Sequence, residues 1–227
     1  MPEGSAIRRM FAGVAPRYDF LNHLLSLGID RSWRRKAVRE LGLSPKDRVL
    51  DLCCGTGDMS IEIASRARCF ASDFTWEMLA RAQSKSRRAR LPVHLSAADA
   101  LSLPFASGSF DVATVAFGVR NLEDLKAGLS ELRRVLRLGG TLAILEFSQP
   151  QNRLLRIPYR LYLHYLLPLI GRILSRREAA YRYLADSIAG FPDPERLSQL
   201  LAESHYREIR FRRWTGGIVA VHLARKG

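Results

Sequence analysis

One segment limits the fold of this chain more than any other: residues 49–66, which read VLDLCCGTGDMSIEIASR. A short apolar run enters a Gly-rich turn, a helix-forming stretch follows, and a second apolar run ends at Asp73. A strand, a glycine turn, a helix and a second strand that ends in an acid are typical of a nucleotide-binding βαβ unit. The segment therefore predicts a parallel sheet and an adenosine-bearing ligand.

The glycine turn distinguishes between such ligands. A dinucleotide site needs glycines spaced G-x-G-x-x-G so that a pyrophosphate can approach the helix N-terminus, but here Asp58 directly follows Gly57. A carboxylate there would repel a pyrophosphate and suits a ligand with a positively charged amino group. Asp51 can meet that ammonium directly or through water, and Asp73 is placed for a ribose diol. We therefore predict S-adenosylmethionine rather than NAD, with a ligand-free turn as the alternative.

Composition indicates one domain and a polyanionic neighbour. The 227 residues, 47% of them hydrophobic, are enough for one large core. The 36 Lys and Arg residues outnumber the 22 Asp and Glu residues and give a formal net charge of +14. Nucleic acid and an anionic membrane surface are the candidate neighbours, and a solvated basic surface is the alternative.

The cysteines and the apolar runs indicate the cellular environment. Cys53, Cys54 and Cys69 fit neither a disulfide framework nor a metal-ligand spacing, so we expect reduced thiols and no metal. The first residues lack the apolar core of a signal peptide, and no run reaches the roughly 18 apolar residues of a membrane span. We expect a cytoplasmic protein that does not cross a bilayer.

Apolar runs and helical stretches alternate along the middle of the chain. We predict strands at 48–52, 69–73, 93–96, 110–116 and 141–147, helices at 58–66, 75–88 and 122–136, and a C-terminal antiparallel hairpin of 208–213 and 218–223. The first strands are almost continuously apolar, as expected when helices cover both faces of a parallel sheet. Five parallel strands and a hairpin make a seven-stranded sheet, whereas a dinucleotide-binding sheet ends in a sixth parallel strand.

Two segments lie outside this alternation. Residues 1–45 are predicted to be helical, and residues 148–193 separate the fifth strand from the next predicted helix. Within the second segment, residues 153–177 contain six arginines and no acid. We therefore expect a single domain, residues 1–227, with an N-terminal helical lid at about 1–45 and an inserted basic and apolar helical segment at about 148–193.

Motifs along nearly the whole chain resemble those of one family. They read FAGVAPRYDFLNHLLSLGIDRSWRR, VLDLCCGTGD, LPFASGSFDVATVAFGVRNL, LRRVLRLGGTLAILEFSQP, YRYLADSI and TGGIVAVH. Together they are similar to the ubiquinone/menaquinone biosynthesis C-methyltransferases, from about Phe11 to His222. The glycine turn and LRLGG are shared by many class I methyltransferases, whereas YDFLN, FGVRNL, YRYLADSI and TGGIVA are far more restricted.

The resemblance implies a fold, a reaction and a location. The fold is a class I S-adenosylmethionine-dependent methyltransferase, with a Rossmann-like seven-stranded sheet and helices on both faces. The reaction is C-methylation of a polyprenylated demethylmenaquinol to menaquinol, with the matching benzoquinol of ubiquinone biosynthesis as the alternative ring. The protein would be attached peripherally to the inner face of the membrane. Nucleic acid is not an expected partner, and both a monomer and a homo-oligomer remain open.

The resemblance also implies cofactor contacts. The family holds the cofactor at the positions matched by Thr56, Asp73, Asp99 and Ala100, and a frequent serine contact is Ala116 here. Asp99 can accept from the adenine amino group, and an exposed helix cap is the alternative. The full predicted cofactor site consists of Asp51, Gly55, Thr56, Gly57, Asp73, Phe74, Asp99, Ala100 and Ala116.

Methylation of the quinol ring requires a group that stabilises charge, and the FGVRN segment after the fourth predicted strand is the candidate. Ligands of open α/β sheets bind at that carboxyl edge. A hydroquinone carbon becomes nucleophilic once a ring hydroxyl loses its proton, so the site must stabilise a developing anion. We predict that Arg120 supplies the charge and Asn121 a hydrogen bond to the second ring oxygen. Pairing of Arg120 with Glu123 or Asp124 is the alternative.

Further roles are predicted for the two outlying segments. Tyr18 and Asp19 would orient a hydroxyl or water that takes the proton, with lid packing as the alternative. In the inserted segment, Leu161, Tyr165 and Leu169 share a helical face that can lie on an anionic membrane. An apolar flap over the cofactor is the alternative for that segment.

Two functional rivals remain. An RNA or small-molecule methyltransferase of the same fold is one, because fold does not determine substrate. A catalytically idle scaffold for other quinone enzymes is the second.

Overall fold

The computed structural model describes residues 28–166 and 178–227, together with the isolated residues 10, 12, 13 and 26. The strands are β1 Arg48–Leu52, β2 Arg68–Asp73, β3 Val93–Ala97, β4 Phe110–Ala116, β5 Leu136–Phe147, β6 Tyr206–Trp214 and β7 Val219–Lys226. The helices are α1 Ile29–Glu40, α2 Asp58–Ala64, α3 Trp76–Ala89, α4 Leu125–Val135, α5 Arg153–Leu161, α6 Glu178–Gly190 and α7 Pro194–Glu203.

The strands form one seven-stranded sheet in the order β3-β2-β1-β4-β5-β7-β6. Strands β1 to β5 run parallel, and β7 lies antiparallel between β5 and β6. The predicted parallel sheet with a terminal antiparallel hairpin is confirmed, and with it the class I methyltransferase fold. The order reverses between β1 and β4, which opens a crevice at their carboxyl ends where ligands of such sheets bind.

Helices cover both faces of the sheet because alternate residues of its strands point to opposite sides. In β1, Leu50 belongs to the same buried cluster as Leu129 and Leu132 of α4. Its neighbour Val49 belongs to the cluster that contains Trp33 of α1. The near-continuous apolar strands are thus explained by cores on both faces.

Strand β5 is longer than predicted, because it begins at Leu136 rather than at residue 141. The LRLGG stretch pairs with β4 through a shift in register between Phe110 and Val112. A Cβ at Gly140 would lie 2.8 Å from the Arg137 carbonyl oxygen, so only glycine fits there. The glycines therefore allow an irregular strand to continue where the sequence predicted its boundary.

The inserted segment is helical where it is described. Helix α5 continues into a π-helical turn, Tyr162–Leu166, and α6 packs beside it. Leu163, Tyr181, Ala185 and Ile188 form a small core of their own between these elements. No helix in the described part of the chain is long and apolar enough to cross a membrane. Of the predicted lid at 1–45, the described helix is α1; the lid itself stays a prediction.

Candidate active site

The predicted cofactor residues meet at one cavity over the carboxyl ends of β1, β2 and β4. The lining includes eight of the nine predicted positions: Asp51, Gly55, Thr56, Asp73, Phe74, Asp99, Ala100 and Ala116. Gly57 is the exception, and it serves packing. A Cβ added at Gly57 would lie 3.0 Å from the Ala82 Cβ of α3, and its φ of +85° is left-handed, so glycine is needed for α2 to pack on α3.

Asp73, the last residue of β2, is held by the backbone. Gly55 N–H donates to its Oδ2 at 2.8 Å, and Thr75 N–H donates to its Oδ1 at 2.9 Å. Each carboxylate oxygen keeps further acceptor capacity, which is what a ribose diol would use. Burial raises the pKa of Asp73, and the backbone hydrogen bonds partly offset that effect. The residue predicted for the ribose thus also fixes the glycine turn beside it.

Asp51 is a buried acid one residue before the end of β1. Its Oδ2 accepts from the Ser60 hydroxyl at 2.5 Å and its Oδ1 from the Thr114 hydroxyl at 3.0 Å. Burial raises its pKa to about 6, while those hydroxyls and the Arg34 charge act in the opposite direction. Asp51 forms no ion pair with a described residue, and a buried carboxylate in that situation suits a positively charged ligand group. This environment agrees with the ammonium contact predicted for Asp51.

Cys53, rather than a glycine, occupies the first position of the glycine turn. Its φ is +55°, a left-handed conformation that strains a residue with a Cβ. The turn tolerates the cysteine because Gly118 faces it, where a Cβ would lie 2.4 Å from the Cys53 Cβ. Burial raises the pKa of the Cys53, Cys54 and Cys69 thiols, so they stay protonated at neutral pH. Among the described residues, no cluster of His, Cys, Asp or Glu could hold a metal ion.

Lys85 of α3 neutralises Asp58, the acid that follows the glycine turn. Its Nζ forms an ion pair with Asp58 at 2.5 Å and donates to Thr56 Oγ1 at 3.0 Å. Asp58 therefore does not present an unpaired charge to the cavity, although it lines the edge. Thr56 is buried, with 2% exposure.

The cavity is more open near Asp99. Asp99 is exposed, and its Oδ1 accepts from Leu101 N–H at 2.9 Å in a turn rather than at a helix N-terminus. Ala100 beside it is buried, and Phe74 is 42% exposed at the cavity wall. One face of the Asp99 carboxylate is thus left for a ligand, in agreement with the predicted adenine contact. That contact stays a prediction.

Arg120 is paired with Glu146, not with Glu123 or Asp124. The Nη1 atom lies 2.7 Å from Glu146 Oε1 and donates to the Phe117 carbonyl at 2.6 Å. Both side chains are buried, with 5% and 2% exposure. The guanidinium lies 5.4 Å from the Phe147 ring centroid, and Arg120 Nε has no partner among the described residues. Burial raises the pKa of Glu146, while the Arg120 charge opposes that effect.

Asn121 lies nearer to the cavity than Arg120. It follows Arg120 in the 3-10 turn Val119–Asn121 and lines the cavity with Phe117 and Gly118. Its Oδ1 accepts from the Tyr183 hydroxyl of α6 at 3.0 Å. The structure therefore brings the predicted hydrogen-bond donor to the cofactor cavity and holds it from the inserted segment.

Tyr18 and Asp19 lie outside the described residues, so their predicted roles stay predictions. Sequence reasoning missed Glu146 and Tyr183, which contact the predicted catalytic pair. Glu146 could have been found from the sequence, because it is an acid near the carboxyl end of the apolar predicted strand that reads ILEF. Arg34 was also missed; it lines the cavity from α1 and lies 5.0 Å from the Phe117 ring centroid.

Comparisons with known proteins agree with this geometry. The profile of the ubiE/COQ5 methyltransferase family matches residues 3–226. The demethylmenaquinone methyltransferase of Deinococcus radiodurans is 45% identical, over 99% of this chain and 94% of its own. A ubiquinone/menaquinone biosynthesis C-methyltransferase of a Geobacter species is 44% identical, over 99% and 97%. A methyltransferase structure from Thermotoga maritima shares the fold with a TM-score of 0.69 and 18% identity, over 97% of this chain and 99% of that one.

Proposed function

Since the chain belongs to the ubiE/COQ5 methyltransferase family, we propose that it methylates a ring carbon of a polyprenylated demethylmenaquinol to give menaquinol. It is an S-adenosylmethionine-dependent C-methyltransferase of respiratory quinone biosynthesis. The observation that carries the proposal is the meeting of Asn121 with Asp51 and Asp73 at one cavity. Relatives named for demethylmenaquinone alone favour the naphthoquinol ring, whereas the Geobacter relative is named for both quinones.

The residues at the cavity fit S-adenosylmethionine, which when bound supplies a methyl group on a positively charged sulfur. Asp73 would hold the ribose hydroxyls, since both of its oxygens are already oriented by backbone N–H groups. Asp51 would face the ammonium from a buried position. Asp99 would accept from the adenine amino group at the open end of the cavity. These assignments use acceptors only, which suits a ligand whose polar groups at these points are donors.

The residues at the carboxyl end of β4 would handle the ring. A ring hydroxyl must lose its proton before the adjacent carbon is nucleophilic, and the resulting oxygen charge must be stabilised. Asn121, at the cavity wall, would donate to a ring oxygen. Arg120 lies behind it, outside the residues that line the cavity, and has Glu146 as its counterion. It would therefore act on the developing charge through its electric field and its support of the turn, rather than by direct donation. Tyr18 and Asp19 remain the proposed groups for orienting the proton acceptor.

A paired assay decides between the two rings. Purified protein is given labelled S-adenosylmethionine and either demethylmenaquinol or the corresponding demethyl benzoquinol with the same side chain. We expect faster methylation of the naphthoquinol. Total RNA as a third acceptor tests the rival enzyme class, and labelling of RNA but of neither quinol would overturn the proposal.

We further propose that the enzyme works peripherally at the inner, cytoplasmic surface of the membrane, where the polyprenyl tail of its substrate stays in lipid. Support comes from α5 and the turn after it. Leu154, Ile157, Leu161 and Tyr165 are 81%, 61%, 53% and 72% exposed, and their spacing puts them on one helical face. Such an exposed apolar stripe is typical of a helix that lies in the interfacial plane.

Charge and packing support the same orientation. Arg153, Arg156 and Arg160 accompany the stripe, and each contributes roughly 1 kcal/mol near an anionic surface. On the other side of α5, Tyr159 packs against the small core that contains Leu163. No residue of α5 or of the turn after it is among the described residues that line the cofactor cavity. This placement favours the membrane over the alternative of a flap on the cofactor.

Liposome binding is expected to depend on these arginines. Changing Arg153, Arg156 and Arg160 together to Gln should weaken binding to anionic vesicles by about a hundred-fold, since roughly 3 kcal/mol of attraction is lost. Wild-type binding should also fall between about 50 and 500 mM salt, as the Debye length shortens. Cosedimentation with vesicles of graded anionic content measures both effects.

A matched variant provides the control for this prediction. Arg87, Arg88 and Arg90, at the end of α3, are exposed, and changing them to Gln removes the same formal charge. We expect that variant to keep most of the binding. Equal losses in both variants would mean that net charge alone, and not the α5 surface, drives adsorption.

A further inference from the structure

Helix α6 of the inserted segment contacts the site through a side-chain hydrogen bond. Tyr183, in α6, donates its hydroxyl to Asn121 Oδ1 at 3.0 Å. Burial raises the pKa of Tyr183, so the phenol stays protonated as a donor. An asparagine amide has one acceptor oxygen and a nitrogen that only donates. Because Oδ1 is turned toward Tyr183, the Nδ2 group on the other side of the planar amide is the one available to face a ligand.

The contact is supported by a rigid neighbourhood. Tyr181, Ala185 and Ile188 of α6 are buried against Leu163, in the small core that also contacts Phe147. Phe147 in turn lies against the Arg120 guanidinium, with 5.4 Å between the guanidinium carbon and the ring centroid. Helix α6 is therefore held in place on both sides of Tyr183, and its hydroxyl can fix the orientation of the amide.

We propose that Tyr183 is a positioning residue for methyl transfer. Its hydroxyl holds the Asn121 amide so that Nδ2, rather than Oδ1, points to the ring oxygen on which negative charge develops. A donor aimed at developing charge accelerates the reaction, whereas an acceptor at the same place would repel that charge. The inference rests on the proposed quinol methylation. It adds that Tyr183 makes Asn121 a hydrogen-bond donor, rather than an acceptor, toward the ring oxygen.

A double-mutant cycle tests this assignment. Tyr183→Phe removes one neutral hydrogen bond, so we expect kcat to fall by about five- to thirty-fold with unchanged S-adenosylmethionine affinity. In an Asn121→Ala background the same change should have no further effect, because the amide that it orients is gone. Asn121→Asp keeps an acceptor for Tyr183 but replaces the donor with a second acceptor, so it should be at least as slow as Asn121→Ala.

The control makes the same chemical change at a remote position. Tyr206, in β6, donates its hydroxyl to the Leu129 carbonyl at 3.1 Å within the core. Tyr206→Phe should lower the melting temperature by a similar amount and leave kcat unchanged. If Tyr183→Phe lowers kcat equally in both backgrounds, or Asn121→Asp stays active, the positioning role is wrong.

The cycle is run with whichever reduced quinol the wild-type enzyme methylates, so an error about the ring does not affect it. Wild-type protein that methylates neither quinol would overturn the proposed function and this inference together. Additive effects in an active enzyme would overturn the inference alone.

Discussion

Replacing Arg120 with alanine is expected to lower turnover by about a hundred- to a thousand-fold, the range found when a group that stabilises a developing oxyanion is removed. It should also destabilise the protein, because Glu146 would be left as a buried charge without its partner. Breaking such a pair costs about 3–5 kcal/mol, or roughly 6–20 °C in melting temperature for a chain of this size. Steady-state kinetics with saturating substrates, and thermal unfolding of the same samples, measure the two effects.

Two further variants separate the chemical role of Arg120 from its structural role. Glu146→Gln keeps the Arg120 charge while also disrupting the ion pair. If the guanidinium acts on the ring, Glu146→Gln should retain far more turnover than Arg120→Ala, although both are destabilised. Arg120→Lys should recover only part of the rate, because a point charge replaces a planar fork. If Arg120→Ala and Glu146→Gln have equal turnover, Arg120 has only a structural role, which is to support the turn Val119–Asn121.

Replacing Asp73 with alanine is expected to weaken S-adenosylmethionine binding by about ten- to a hundred-fold. Charge-assisted hydrogen bonds of this kind contribute roughly 1.5–3 kcal/mol, at 1.4 kcal/mol for each factor of ten. The structure favours the upper end of this ten- to hundred-fold range of weakening, at about a hundred-fold. The same carboxylate holds Gly55 N–H and Thr75 N–H, so its loss also frees the glycine turn. Calorimetric titration of the folded variant and of the wild type in the same buffer measures the change.

Asp111 provides a matched control for Asp73. It is also a carboxylate that accepts from a backbone N–H group, that of Arg48 at 2.7 Å, but it lies at the amino end of β4. Asp111→Ala should leave cofactor affinity within a factor of about two, since its effects are confined to stability. Unchanged affinity in Asp73→Ala would move the ribose contact elsewhere.

The architecture could be predicted because its signals are local. The glycine turn, the continuously apolar strands and the hairpin each follow from neighbouring residues, and the sheet has the predicted parallel strands and antiparallel end. The predicted start of β5 was wrong, because the prediction placed it at residue 141, after Gly139 and Gly140. In the structure they lie within the strand, which pairs irregularly with β4 at this point.

The cofactor cavity was predictable for the same reason, since Asp51 and Asp73 lie at the carboxyl ends of adjacent parallel strands. The surroundings of Arg120 were not, because its partner Glu146 lies 26 positions away on β5. Sequence reasoning considered only the acids that follow Arg120 in the chain. Tyr183 is separated from Asn121 by 62 positions, so the contact depends on how α6 packs, which no local pattern indicates.

C-methylation of a reduced quinone ring is tested most directly by comparing label transfer to the quinol and to the oxidised quinone. Purified protein and labelled S-adenosylmethionine are combined under anaerobic conditions with demethylmenaquinol, or in parallel with the oxidised demethylmenaquinone, and the product is identified by mass and by the site of the label. Carbon methylation requires an electron-rich ring, whereas the ring carbons of the oxidised quinone are electrophilic. We predict label on the ring carbon of the quinol and essentially none on the quinone. Methylation of the oxidised quinone at a comparable rate, or label on oxygen rather than carbon, would contradict the mechanism built on Arg120 and Asn121.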